Sequence, residues 1–376
     1  MRCILLSLFL ACLFPAVGSS MIYVSFQRDD KDLHVTGELI VEASDGGVLV
    51  VANDGKLWAI QPDEIVRKDK DDKPFVGLTQ AEVARRLAAE MPEGFEIYTT
   101  AHYVFCYNTS KPYAQWCGAL YERLYVAFYN YWERRGFKLR QPLTPLVAII
   151  YRDQADFARF SRDELGDAAE SIIGYYSIET NRVSTFDLTG VGGSGNARAT
   201  KASEINRILS APDALRTVAT IIHEATHQLA HNSGMHERWG DIPLWVREGI
   251  AMYFETPDLG VSRGWRTIGA VNRPRLVQLR EYAQRRPGNS LATLIADDSR
   301  LSDANTALDA YAETWALTYY LIRFRGKEYR DYLAMIAKKP ALVEDTPETR
   351  LKEFQHFFGD LNKLEAEFVR KIGSLR

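Results

Sequence analysis

The chain has 376 residues, with 46 basic against 49 acidic side chains and a pI near 6.2. That near-neutral balance excludes the strongly basic field that a nucleic-acid-binding surface needs, and it names no other partner. At 46% hydrophobic and 25% charged, the composition is that of an ordinary globular protein with enough apolar material for two or three folding units.

The first twenty residues, MRCILLSLFLACLFPAVGSS, place Arg2 before an apolar run that ends in the small-x-small pattern Ala16, Val17, Gly18. This is the pattern of a secretory signal peptide over residues 1–18, and the expected location is secreted, periplasmic or at the cell surface. The run is shorter than the roughly 20 residues a membrane span requires and Pro15 interrupts its end, so no integral span is expected after cleavage. A lipidated Cys12 is the lesser alternative, because FLAC matches a lipidation box only loosely. Cleavage removes Cys3 and Cys12. It leaves Cys106 and Cys117, either as a disulfide in an oxidising compartment or as two separate buried thiols. Asn108 in NTS is a formal glycosylation acceptor.

After the leader, HVTGELIVEASDGGVLVVANDGKLWAIQP alternates apolar and polar residues between Asp-Gly and Asn-Asp-Gly turns, which predicts a small β-rich unit. The mixed charge run RKDKDDKPF reads as a solvated loop. LTQAEVARRLAAEM reads as a helix stopped by Pro92 and Gly94, so the first unit is expected to span residues 19–93. Then come a strand in FEIYTTAHYVFCYN, a long helix in KPYAQWCGALYERLYVAFYNYWERRG, the strand PLVAIIY and a hairpin in IGYYSIETNRVSTFDL, an α+β order. The glycine-rich TGVGGSGNARATKAS lacks the Lys and Ser/Thr of a phosphate cradle and reads as a mobile loop. Residues 94–256 are expected to carry the site, and residues 257–376 to be helical, with ANTALDAYAETWALTYYLIRFRG the clearest helix.

The stretch IIHEATH sits in a helix whose start is signalled by Ser210 and Asp213 and whose stop is Gly234. His223 and His227 lie one turn apart on one face. They stand off the apolar stripe of Leu215, Val218, Ile221, Ile222, Ala225 and Leu229. This is the arrangement in which two imidazole nitrogens reach one zinc ion, while Glu224, rotated by about 100°, stands beside the metal as a general base. The second stretch, PLWVREGIAMYFE, starts a helix at Asp241 and Pro243 and is apolar nearly all round. Glu248 is then a carboxylate in a buried face, which costs several kcal/mol unless a cation or a metal compensates it. Arg247 is adjacent in sequence, hence about 100° away round the helix, and is a poor partner. One zinc ion (Zn2+) on His223, His227 and Glu248, with water at the fourth position, resolves both features. His231 is about 12 Å along the axis from His223 and cannot share the ion. His236, beyond the helix stop, is a rival ligand.

These residues resemble the gluzincin metallopeptidases, thermolysin-like in their active-site half, where His-Glu-x-x-His on one helix is completed by a glutamate from the next. Here 20 residues separate His227 from Glu248, close to the spacing in that group. PLWVREGIAMYFE is most similar to the secreted bacterial peptidase-MA-like families, and the likeness covers about residues 95–330. The resemblance implies an α+β, zincin-like catalytic domain, with a small sheet and an active-site helix above a helical lower half. It also implies a peptide or protein substrate and metal-assisted amide hydrolysis, with Glu224 taking a proton from a zinc-activated water. Tyr311 in DAYAETW is the oxyanion donor it suggests, set against a plain core tyrosine. The IGYYSIETNRVSTF hairpin offers, by the same analogy, an open edge to an extended peptide.

Two departures bear on the site. The thermolysin pattern has an aspartate four residues after the glutamate ligand, and Met252 stands there. Glu255 is either a substitute that supports a ligand histidine or a helix-end surface charge. The Gly-x-Met-Glu-Asn signature of the related aminopeptidases is absent, and Ala230 and Ser233 occupy the positions of the metzincin glycine and third histidine. Two other functions stay open: a non-catalytic zincin-fold binding module at the cell surface, and a zinc hydrolase of a non-peptide, cell-wall amide.

Overall fold

The computed structural model describes residues 21–191, 198–259 and 265–375. The leader read at residues 1–18, with Cys3 and Cys12, and the glycine-rich segment at 192–197 lie outside the described residues. The chain forms two compact units, Met1–Gly77 and Leu78–Arg376.

In the first unit, strands β1 (Met21–Arg28), β2 (Lys31–Glu42), β3 (Val48–Ala52), β4 (Leu57–Ile60) and β5 (Ile65–Asp71) form an antiparallel sheet in the order β4-β3-β2-β1-β5. The two Asx-Gly turns fall where the alternation predicts. A third hairpin turns at Asp29 and Asp30, both with positive φ, a conformation that aspartate tolerates better than most residues. The charge run expected to be a loop is instead strand β5 through Asp71, paired to β1. Its outward lysines are held by Glu42, with Lys68 and Lys70 both donating to that carboxylate. A charged edge strand of this kind resists pairing with a second sheet, which is why strand and solvated run share one sequence signature.

The second unit opens with α1 (Gln80–Glu90), capped by Thr79 in a reciprocal box with Glu82. Val83 and Leu87 of this helix bury themselves in the same core as β7 (Tyr103–Tyr107), so the division falls at Gly77 rather than near residue 93. The sheet orders β6 (Glu96–Thr99), β7, β8 (Leu146–Tyr151), β10 (Arg182–Phe186) and β9 (Gly174–Tyr176), with β7, β8 and β10 mutually parallel and β9 antiparallel at one edge. Helices α2 (Lys111–Glu133), α3 (Gln154–Leu165) and α4 (Ala202–Leu209) pack around it, followed by α5 (Leu215–Asn232) and α6 (Leu244–Phe254). The remainder is helical as expected: α7 (Arg273–Ala283), α8 (Ser290–Ala296), α9 (Ser299–Ser302), α10 (Ala307–Phe324), α11 (Gly326–Ile336), α12 (Pro347–Phe358) and α13 (Leu361–Gly373). The fold is α+β. No helix among the described residues is long and apolar enough to cross a membrane.

Cys106 on β7 and Cys117 on α2 are free and buried, which answers the open disulfide question, and burial pushes the Cys106 thiol up to about 12. The Asn108 amide is engaged inside the fold, donating to Asp156 at 3.1 Å.

One contact sets how closely α6 approaches α10. A Cβ built on Gly249 would lie 2.0 Å from the Thr318 hydroxyl, so only glycine lets the two helices meet at this separation. Gly249→Ala should lower the free energy of unfolding by about 1–3 kcal/mol through overpacking. Gly326→Ala, where an added Cβ meets nothing within 4 Å, should move it by less than about 0.5 kcal/mol. Chemical denaturation of both variants checks this, and equal effects would contradict it.

Candidate metal centre

Helix α5 begins at Leu215 rather than just after Ser210. Residues 202–209 already form an amphipathic helix that buries Ile205 and Leu209, and Ser210 closes it as the C-cap, its N–H donating to the Asn206 carbonyl. The predicted apolar stripe is otherwise observed: Val218, Ile221, Ile222, Ala225 and Leu229 are buried, while Leu215 at the first turn is exposed. The helix stops where Gly234 takes φ +77°, as the sequence predicts. Gln228 pins α5 to the sheet, its amide donating to the carbonyls of Val147 on β8 (3.0 Å) and Asn181 (2.8 Å). That clamp turns the histidine face towards α6.

Helix α6 starts at Leu244, as Pro243 suggests, but Asp241 does not cap it. Asp298 accepts the Leu244 N–H at 3.0 Å, and Arg350 ties Asp298 and Asp241 together with bonds of 2.9 and 2.6 Å. The helix buries Trp245, Val246 and Gly249 to Phe254, so it has no free choice of rotation. Glu248 is thereby delivered to α5 with its side chain about 12% exposed.

Three side chains meet there, the two imidazoles and both oxygens of the Glu248 carboxylate. His223 Nε2 lies 3.1 Å from His227 Nε2 and 3.1 Å from Glu248 Oε2, and His227 Nε2 lies 3.5 Å from Glu248 Oε1. Donors bonded at about 2.0–2.1 Å to a tetrahedral ion stand about 3.3 Å apart, so the spacing of the three side chains makes them a candidate group of metal ligands. Hydrogen bonds alone serve it poorly, because each Nε2 carries at most one proton to share among two neighbours. Among the described residues this is the one group of three His, Cys, Asp or Glu side chains whose ligand atoms converge in this way.

Residues 217–343 match the model of a family described as a protein of unknown function (DUF1570). The match covers about a third of the chain, and the three donors, Glu224, Glu255 and Tyr311 all fall within it. No curated protein matches the chain.

Glu255 takes the supporting position rather than the surface one. Its Oε2 lies 2.9 Å from His223 Nδ1, leaving Nε2 turned to the donor triangle. Asn272, the N-cap of α7, donates to the other Glu255 oxygen at 2.7 Å, and Arg275 lies 3.5 Å from it. Neither partner was singled out from the sequence. VNRPR does carry a cap signature at Asn272, but nothing in it indicates a bond to Glu255. Met252, where an aspartate stands in the thermolysin pattern, is fully buried in the core.

His231 and His236 form a separate pair, ring centroids 5.3 Å apart, with His231 stacked on Tyr176. Burial keeps both neutral, His231 well below the usual histidine range and His236 down to about 3. His236 lies outside the converging group, so its rival claim as a ligand is not supported by geometry.

The charges around the triangle are strongly coupled. Burial alone would lower His223, but hydrogen bonds to Glu248 and Glu255 overrule it and raise it well above the usual range. Burial would raise Glu248, yet the charges of the two histidines bring it down to about 2. His227 is lowered to about 4, chiefly by burial. The shifts favour a proton on His223 and a charged Glu248, and a divalent cation bound there would compete with that proton. Glu224 stands apart: burial raises it to about 7, and its Oε2 accepts the Tyr176 N–H of edge strand β9 at 2.9 Å.

A cavity of about 390 Å³ opens over the triangle, lined among others by Tyr175, Tyr176, Arg247, Arg275 and Tyr311. Tyr311 of α10 therefore reaches the same pocket, with Arg275 5.6 Å above its ring and its hydroxyl held protonated by burial. If Glu255 supports His223, Glu255→Gln should weaken zinc binding by roughly 10–100-fold while the fold persists. Competitive chelator titration measures this, and an unchanged affinity would assign Glu255 to packing alone.

Proposed function

We propose that this chain is a zinc-dependent peptidase of the gluzincin type, and that residues 94–256 with the helical part that follows form a zincin-like catalytic domain. The observation that carries the reading is the convergence of His223, His227 and Glu248, with His223 Nε2 3.1 Å from His227 Nε2 and from Glu248 Oε2 and His227 Nε2 3.5 Å from Glu248 Oε1, facing a cavity beside a buried carboxylate that is not part of the group. A zinc ion held there supplies Lewis acidity, acidifying a water and polarising a carbonyl.

The chain's own residues supply the remaining functions. Glu224 is the proton acceptor: it is one residue from His223, and its carboxylate is oriented by the Tyr176 N–H rather than by the metal ligands. Tyr311 is a neutral donor lining the same cavity, suited to a developing oxyanion. Strand β9 ends its sheet, and Tyr176, whose N–H points away from β10, lines the cavity. An extended peptide laid along that edge brings its carbonyls past Glu224, which favours a peptide or protein over a compact substrate. The proposal extends to an exported protein, on the leader read at residues 1–18.

The test is metal analysis of the purified chain with a chelator-sensitive assay on a peptide library. One zinc per chain is expected. Glu224→Gln should keep the metal and lose roughly 10²–10⁴-fold in kcat/KM. Glu248→Ala should lose the metal, and His236→Ala should retain it. Turnover that survives Glu224→Gln overturns the assignment of the base, and metal lost with His236→Ala overturns the ligand set.

A further inference from the structure

Helix α6 carries two charges in an otherwise apolar sequence, Arg247 and Glu248. The histidines account for Glu248. Arg247 contributes less than they do to holding Glu248 charged. Its Nε is buried and has no hydrogen-bond partner, and no carboxylate among the described residues forms an ion pair with its guanidinium. A buried Nε–H without an acceptor carries a desolvation cost, which a ligand acceptor at this position would recover. The side chain lines the cavity above the metal triangle.

The neighbouring cations are already committed. Arg275 lies against Glu255 at 3.5 Å and over the Tyr311 ring, and Arg238 donates to the Ile178 carbonyl at 3.2 Å. Arg247 and Arg275 both line the cavity, but Arg275 is already placed against Glu255, whereas Arg247 forms no ion pair among the described residues. Being one residue from Glu248, it projects about 100° round α6 and flanks the triangle instead of overlying it. Leu244 and Ile178 also line the cavity, so an anion there would exchange water for a low-dielectric setting in which a charge-assisted, two-pronged bond is strong.

We infer that Arg247 is the specificity-determining residue of this pocket and that it receives a carboxylate of the peptide substrate, next to the bond that is cleaved. This rests on the peptidase reading above. Two sources supply the same chemistry: the free C-terminal carboxylate of a peptide, or the side chain of an Asp or Glu flanking the scissile bond.

Binding calorimetry on the full chain tests it, in zinc-loaded and chelator-treated forms, with Glu224→Gln present to prevent turnover. The probes are acetyl-Ala-Ala-Ala with a free carboxylate, its C-terminal amide, acetyl-Ala-Glu-Ala-amide and acetyl-Ala-Gln-Ala-amide. At least one carboxylate probe should bind about tenfold or more tightly than its neutral counterpart, about 1.4 kcal/mol. The probe that does so identifies the source. Arg247→Met should abolish the preference and Arg247→Lys should keep part of it, with zinc content unchanged in both. Equal binding of charged and neutral probes to the unaltered Arg247 protein overturns the inference without any variant having to fold. So does a preference that survives Arg247→Met. An Arg247-dependent preference in a chain that takes up no zinc would leave the carboxylate receptor standing and sink the metal reading. Zinc uptake with no preference would do the reverse.

Discussion

The constraint on which the second unit's design depends is the burial of Glu248. A carboxylate on a helix that is apolar on nearly every side must be compensated, and the compensation comes from two imidazoles one turn apart on the neighbouring helix. His223 Nε2 lies 3.1 Å from one Glu248 oxygen and His227 Nε2 3.5 Å from the other. The same crowding, at 3.1–3.5 Å where each imidazole has one shareable proton, is what the proposed zinc ion accounts for. The rest of the region can be understood as what holds those atoms in place.

Three devices do so, and none of them is one of the three candidate ligands. Gln228 fastens α5 to β8 through the Val147 carbonyl, which sets the height of the histidines against the sheet. The absence of a side chain at Gly249 lets α6 settle against Thr318 of α10, which sets the depth of Glu248. Arg350, bridging Asp298 and Asp241, positions the carboxylate that accepts the first N–H of α6. Glu255 adds the orientation of one ring through His223 Nδ1. A site supported this way is preorganised: its supporting bonds run to backbone and buried charge, so side-chain rotation at the centre has little freedom.

Much of the centre was legible in the sequence because its signals are local. A four-residue spacing on a helix puts His223 and His227 on one face whatever else the chain does, and a lone carboxylate inside LWVREGIAMYF announces a partner. Gly234 as the stop of α5 is equally local. What escaped depends on distant partners. Ser210 looked like a cap but closes an unrecognised helix, and the acceptor at the start of α6 comes from Asp298, far along the chain. Asn272 and Arg275 at Glu255 are another such case. In the first unit, RKDKDDKPF has no apolar alternation because β5 is an edge strand, so pairing to β1 rather than burial makes it a strand. Arg247 was noticed only as a poor partner for Glu248. That its buried Nε has no hydrogen-bond partner became visible in three dimensions.

The most direct measurement of the central claim is zinc K-edge X-ray absorption on the metal-loaded full chain. The account predicts a four-coordinate ion with two imidazole nitrogens and a carboxylate oxygen at about 2.0–2.1 Å, and the loss of one imidazole shell in His227→Ala. A six-oxygen shell without imidazole, a sulfur ligand, or no stoichiometric zinc at all would contradict it.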